Sequence, residues 1–251
     1  MILKAEHISK SFGEKKILDD ISICLNEGEI VCILGTSGVG KSTLFNIISG
    51  LSKPDEGCVS LKNDGCKDDA FCDITGKSGN ISYMLQKDLL LEHKSVIDNV
   101  CLPLLIQGVK KEEAKTKALP LFDRFNLNGM EDKFPAQLSG GMRQRAALLR
   151  TYMCGDKVAL LDEPFSALDT LTRSEIHDWY LQIMDEIKLS TLFITHDIDE
   201  AILLSDRIYI LKGRPAKIAA EIEICEQKPR NGDFLLSEEF LKYKREIKAL
   251  L

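Results

Sequence analysis

The sequence predicts an α/β protein: a mostly parallel sheet with helices on both faces, interrupted by a helical insert. Two observations predict it. Four apolar runs, "GEIVCIL" (28–34), "KVALLDEP" (157–164), "STLFITHD" (190–197) and "DRIYILKG" (206–213), are β-like and too short for buried helices. Helical patterns separate the last three of these runs, and alternation of this kind implies parallel strands joined by crossovers.

The elements follow in chain order. Residues 2–12 and 17–25 read as short strands joined at "FGEKK". "GEIVCIL" is a continuous apolar run ending at a glycine, as a strand buried on both faces does. "GKSTLFNIISGL" reads as a helix closed by Gly50 and broken before Pro54. Residues 57–84 give further strands, with turns at "NDG" and "TGKSGN". From about 88 to 150 the period becomes helical, in "SVIDNVCLPLLIQG", "KKEEAKTKALPLFDRFNL" and "GGMRQRAALLRTYM". The tail "SEEFLKYKREIKALL" is a charged amphipathic helix.

Composition narrows the function. The chain has 251 residues, 44% of them hydrophobic and 29% charged, which fits a globular protein with a sizeable core. A net charge of −6 argues against nucleic acid as a partner, because duplex binding needs a basic face. No stretch reaches the ~18 apolar residues of a membrane span, and "MILKAEHISK" lacks the pattern of a signal peptide. The eight cysteines form no C-x-x-C pair and mostly sit in apolar runs, so reduced thiols packed as small hydrophobes are expected.

The stretch "ILGTSGVGKSTL" carries the first chemistry. Gly35 to Ser42 fits G-x-x-x-x-G-K-[ST] between a strand and a helix. Gly35, Thr36, Ser37, Gly38, Val39 and Gly40 form a loop whose backbone N–H groups can converge on a phosphate, and the helix adds its positive end. Lys41 supplies a point charge, Ser42 a hydroxyl for Mg²⁺, and Thr43 a further donor. An ordinary tight glycine turn is the competing reading. At the end of "VALLDEP", Asp162 is placed to hold Mg²⁺ and Glu163 to polarise an attacking water. His196, ending "ITHD", and Gln86, after "ISYML", stand at two more strand ends, where ligands bind in open α/β sheets. Read alone, Gln86 is an ordinary surface residue and His196 a satisfied structural one.

"LSGGMRQR" (138–145) decides between nucleotide-binding classes. Ser139, Gly140 and Gly141 precede a helix expected to begin near Met142 and offer a second anion site; a plain Ser N-cap is the bland alternative. This site lies in the helical insert, away from the first loop, so a two-fold pair of chains would be needed to join them.

Taken together, these motifs resemble the ATP-binding subunit of ATP-binding cassette (ABC) transporters over nearly the whole chain. Walker A is "GTSGVGKST", the Q-loop glutamine Gln86, the signature "LSGGMRQR", Walker B "VALLDE", the D-loop Ser166–Asp169 and the switch histidine His196. The resemblance implies a P-loop NTPase fold with an antiparallel β subdomain and an α-helical subdomain. It divides one ATPase domain, 1–251, into a RecA-like core (1–87 and 151–251) and a helical part (88–150). It implies ATP and Mg²⁺ as cofactors, Gln86 reaching the metal, His196 sensing the γ-phosphate, and Phe12 stacking on adenine. Further segments, "YMLQKDLLL" and "THDIDEAILLSDRIYIL" among them, are similar to importers of nitrate, sulfonate, taurine and thiamine precursors. That similarity implies ATP hydrolysis at the cytoplasmic face of a membrane. The implied partners are a second copy, a separate permease and, indirectly, an external solute-binding protein. "KDLLLEHKSVIDNV" is the expected groove for a permease helix. The competing readings are an exporter ATPase, a soluble cassette ATPase acting on nucleic acid, and a P-loop kinase or GTPase. His7, His93 and His177 suggest no metal, and Trp179 reads as core.

Overall fold

The structure is a computed structural model. It describes residues 1–62, 71–166, 170–228, 230 and 233–251, without the side chains of 170–174. The "NDG" turn, Cys66 and most of the D-loop therefore lie outside the described residues.

The parallel sheet forms as the apolar runs predict. Six strands lie in the order β10-β9-β3-β8-β7-β6. They are β3 (Ile30–Leu34), β6 (Ser82–Met84), β7 (Val158–Asp162), β8 (Ser190–Thr195), β9 (Arg207–Lys212) and β10 (Lys217–Glu223). All pair in parallel except β10, which runs antiparallel to β9. β10 is not among the strands expected from the apolar runs, although Ile218, Ala220 and Ile222 alternate with charged and small residues as an edge strand does.

Both faces of this sheet are covered, which explains its unbroken apolar runs. Cys32, Leu161, Phe193 and Ile208 face one core, with helix residues such as Val100, Phe122, Leu148 and Trp179. Val31, Leu160, Leu192 and Tyr209 face the other, with Leu44 and Phe45 of α1 (Lys41–Ile48). The second core also takes the inner residues of a four-stranded antiparallel sheet in the order β2-β1-β4-β5. Its strands are β1 (Leu3–Phe12), β2 (Lys15–Leu25), β4 (Glu56–Lys62) and β5 (Phe71–Asp73).

The helices between β6 and β7 are α2 (Val96–Val100), α3 (Leu102–Ile106), α4 (Lys111–Arg124) and α5 (Gly140–Tyr152). The single helix expected over 95–108 is in fact two. Pro103 lacks the N–H that would bond the carbonyl four residues back, so the turn is remade at Cys101. The solvated face expected on α4 is present, with Lys117 and Glu113 paired at 2.8 Å. Then come α6 (Thr170–Ile187), between β7 and β8, and α7 (Ile198–Leu204), between β8 and β9. The terminal α8 (Glu238–Leu250) is capped by Ser237 and packs on α7 through Phe240, Ile247 and a Lys244–Asp199 ion pair.

One expectation about sulfur fails. Cys72 is disulfide-bonded. Cys24, Cys32, Cys58, Cys101, Cys154 and Cys225 are free, as expected.

Candidate functional site

The carboxyl ends of β3, β6, β7 and β8 meet at one edge, and each contributes to a cleft of about 600 Å³. The loop from Gly35 to Gly40 leaves β3 and feeds α1. Gly35 is buried against β9: a Cβ there would lie 2.6 Å from the Leu211 carbonyl oxygen. Gly40 has φ 121°, and a Cβ would meet Leu18 at 2.9 Å. The loop thus needs glycine for close approach at one end and for backbone conformation at the other. Gly40 caps α1 without a side-chain hydrogen bond, so no side chain fills that helix terminus. Ser37, Gly38, Gly40, Lys41, Ser42 and Thr43 line the cleft. Val39 is buried in the core and Thr36 is exposed, and neither is among the residues that line the cleft.

Lys41 is buried, and its Nζ donates to the carbonyls of Gly35 at 2.6 Å and Thr36 at 3.1 Å. Burial pushes its pKa down, while the charges of Glu163 and Asp162 oppose the fall. Asp162 ends β7 and is buried too, which raises its pKa. Hydrogen bonds from the hydroxyls of Ser42 and Tyr83 act the other way. Tyr83 donates at 3.3 Å, and burial beside Asp162 raises its own pKa. Two carboxylates, one ammonium and two hydroxyls thus share one partly dehydrated corner, an arrangement common at sites of chemistry.

Glu163 is the most constrained of the group. Its φ is 46°, in the left-handed region, where a non-glycine residue carries strain. The turn is held by bonds from Glu163 N to the Ile194 carbonyl and from the Ser166 hydroxyl to the Glu163 carbonyl. The carboxylate sits between two side chains from other strand ends. Gln86 Nε2 donates to Oε2 at 3.0 Å, and His196 Nδ1 lies 3.2 Å from Oε1. Phe12, 58% exposed at the end of β1, forms part of the rim, with Lys10 Nζ 5.7 Å from its ring centre.

Sequence reasoning missed the residues that support this group. Tyr83 sits on β6, three residues before Gln86, and nothing in the spacing marks it. Ile17 also lines the cleft. Behind His196, the Thr195 hydroxyl donates to Glu200 at 2.6 Å, and Asp197 N donates back to Thr195 at 3.1 Å. Asp197 caps α7, and the D-x-x-E spacing from Asp197 to Glu200 is a visible signal for that start. His177 Nε2 lies 3.5 Å from Glu200 Oε1, within a buried polar group.

Ser139, Gly140 and Gly141 do not join the cleft. Ser139 is the N-cap of α5, its Oγ accepting from Met142 N at 3.3 Å. The helix starts at Gly140, two residues earlier than expected. Ser139 and Gly140 are exposed, and Gly140 borders a neighbouring groove of about 820 Å³ beside Gln86 and Leu89.

Comparison with known proteins fits this geometry. The ABC transporter family model matches residues 18–166. The chain belongs to the ABC transporter family. It is 40% identical to the formylaminopyrimidine import ATP-binding protein ThiZ of Halalkalibacterium halodurans, over 100% of this chain and 96% of that one. It is 36% identical to the nitrate import ATP-binding protein NrtD of Synechocystis, over 95% of this chain and 89% of that one. Among solved structures, a dimeric ATP-binding cassette in a post-hydrolysis state with ADP and phosphate matches with TM-score 0.72 and 28% identity, covering 90% of this chain and 100% of that one. The cbiO1 protein of Clostridium perfringens, part of an ABC transporter complex, matches with TM-score 0.78 and 25% identity, covering 98% of each chain. The fold is that of an ABC ATPase, and the chain is an ATPase of this family. Among the described residues, no helix is long and apolar enough to cross a membrane.

Proposed function

We propose that this chain is the ATP-hydrolysing subunit of an importer, working as a pair of copies beneath a separate permease at the cytoplasmic face of a membrane. One observation carries the reading. Glu163 is held between Gln86 and His196 at the mouth of a cleft that already contains Lys41 and Asp162. This arrangement suits phosphoryl transfer to water, where catalysis is positioning and charge stabilisation. Lys41 and the loop backbone would hold phosphate oxygens. Glu163 would orient or deprotonate water, and His196 would donate to the terminal phosphate. Phe12 would stack on the adenine ring.

The oxygen set of Ser42, Asp162 and Gln86 suits a hard dication such as Mg²⁺. Such an ion supplies charge neutralisation on the phosphates. Two hydroxyls already turn toward Asp162, which favours the carboxylate form a cation needs.

The Ser139–Gly141 turn lies outside its own chain's cleft, with Ser139 and Gly140 exposed, which supports the two-copy reading. One copy's turn would close on the nucleotide held by the other. The core of 1–87 with 151–251 would bind nucleotide, and the 88–150 helices would present the turn. Import is supported by the names of the two relatives above, both import ATP-binding proteins. The solute would be a small anion or a thiamine-precursor-like molecule, delivered by an external binding protein. The groove beside Gln86 is the place for a permease helix. Leu89 is exposed there, and Leu90 also borders the groove although it is only 5% exposed and packs into the core.

Sedimentation of the Glu163→Gln chain tests the pairing, since the amide keeps the shape but lacks the base. ATP should convert it from monomer to dimer, and ADP should not. A chain that stays monomeric at saturating ATP would sink the shared-site reading.

A further inference from the structure

The segment that leaves Gln86 is gripped by the helix that carries the serine-glycine turn. Asp88 accepts from Arg143 Nε at 2.9 Å and Nη2 at 3.2 Å, a two-point contact. Arg143 also donates to the Pro135 carbonyl at 3.4 Å, on the approach to that turn, and to Glu92 at 3.0 Å. Seven residues on, two helical turns along the same face, Arg150 donates to the carbonyls of Leu89 and Asp88. Leu89 has φ 47°, and Leu90 N donates back to Asp88. A single helix face thus holds both the side chain and the backbone of the turn after Gln86.

We propose that the Asp88–Arg143 pair is a positioning device that sets the Ser139–Gly141 turn relative to Gln86, so that two copies close with both halves of the site in register. This rests on the two-copy reading above. Arg143 stands one helical turn from Ser139, and Asp88 stands two residues from the side chain that touches Glu163. A shift at either end is therefore carried to the other through one directional contact. The pair is three-quarters buried yet borders the open groove beside Leu89. A docked helix would press on it from that side, which gives the permease a route to the turn. Gln144, next in the helix, ties α5 to the Pro164 carbonyl, one residue from Glu163. Burial alone would raise the pKa of Asp88, but its bonds from Arg143 and Leu90 and the charges of both arginines hold it below the usual carboxylate value.

The test uses the full-length chain with Asp88→Asn, Arg143→Met and the double change. Each single change should lower maximal ATP turnover about tenfold, and the double should fall no further. ADP affinity should stay within about twofold, because neither residue lines the nucleotide cleft. In the Glu163→Gln background either change should weaken the ATP-driven dimer about tenfold. Arg143→Lys keeps the charge and loses the fork, so its turnover should fall between those of wild type and Arg143→Met. If the Met variant does not fold, wild-type turnover in the Lys variant overturns the proposal. So do additive losses in the double variant, a parallel loss of ADP binding, or an unchanged dimer. A Glu163→Gln chain that never dimerises takes the two-copy reading down first, and this pair with it.

Discussion

The nucleotide cleft and the serine-glycine turn are built on opposite principles. In the cleft Lys41, Asp162 and Glu163 each have hydrogen-bonding partners within the same chain. Lys41 is bonded to its own loop, Asp162 to Ser42 and Tyr83, and Glu163 to Gln86 and His196. The turn at Ser139 and Gly140 is exposed and makes one local capping bond. One region is assembled by folding; the other is a prepared surface. The difference teaches that a motif can be complete in sequence and incomplete in space.

The largest expected effect comes from separating the two regions into different molecules. A Lys41→Ala chain lacks a working cleft, and a Ser139→Arg chain blocks the turn. Each alone should lose at least about a hundredfold in turnover. Mixed in equal amounts, they should recover a sizeable fraction of activity, because a mixed pair contains one intact cleft facing one intact turn. Steady-state phosphate release across mixing ratios checks this. Recovery that peaks at equal amounts supports the division of labour, and a mixture as inactive as its parts breaks it.

The same contrast explains what could be read in advance. The loop from Gly35 to Thr43 was legible because its physics is local: strand, close turn and helix terminus are contiguous. Asp162, Glu163, Gln86 and His196 were legible because each ends a run recognisable as a strand. Tyr83, the Asp88–Arg143 pair and the Thr195–Glu200–His177 group were not. They depend on which strand lies beside which and on which side of α5 faces the segment after Gln86, and no periodicity encodes either. The split of 95–108 into two helices was readable from Pro103, and β10 from its alternation; in both cases a local signal was present in the sequence.

A smaller effect is expected at the rim. Phe12 is exposed and contributes only a ring face, so Phe12→Ala should leave folding unchanged and weaken ATP binding about tenfold or less. Phe12→Trp should keep or improve affinity, since any π face serves. Fluorescence titration with ATP and with a base-free triphosphate separates the cases. Equal loss for both ligands would mean that Phe12 shapes the loop and not the base site.

The smallest effect distinguishes a working carboxylate from an idle one. β7 is flanked by two aspartates whose pKa values burial raises: Asp162 at the cleft, and Asp156 just before the opposite end. Asp156 has a hydrogen bond from Ser82 at 2.8 Å and no role in the cleft. A carboxyl whose folded pKa lies above its ordinary 3.8 holds its proton longer in the native state than in the unfolded chain. Its contribution to stability therefore falls as pH rises from the unfolded value through the folded one. Asp156→Asn removes that dependence and keeps an acceptor for Ser82. At pH 7 its thermal midpoint should equal or exceed wild type by no more than about 2 °C. The gain should shrink as pH approaches about 4, where the unfolded carboxyl also takes up its proton. ATP turnover should not change, whereas Asp162→Asn should lose turnover at every pH. Thermal melts from pH 4 to 8 decide it. A gain that grows on acidification would mean that the Asp156 carboxylate is stabilised in the fold, and that position along the strand, not burial, governs how the two ends behave.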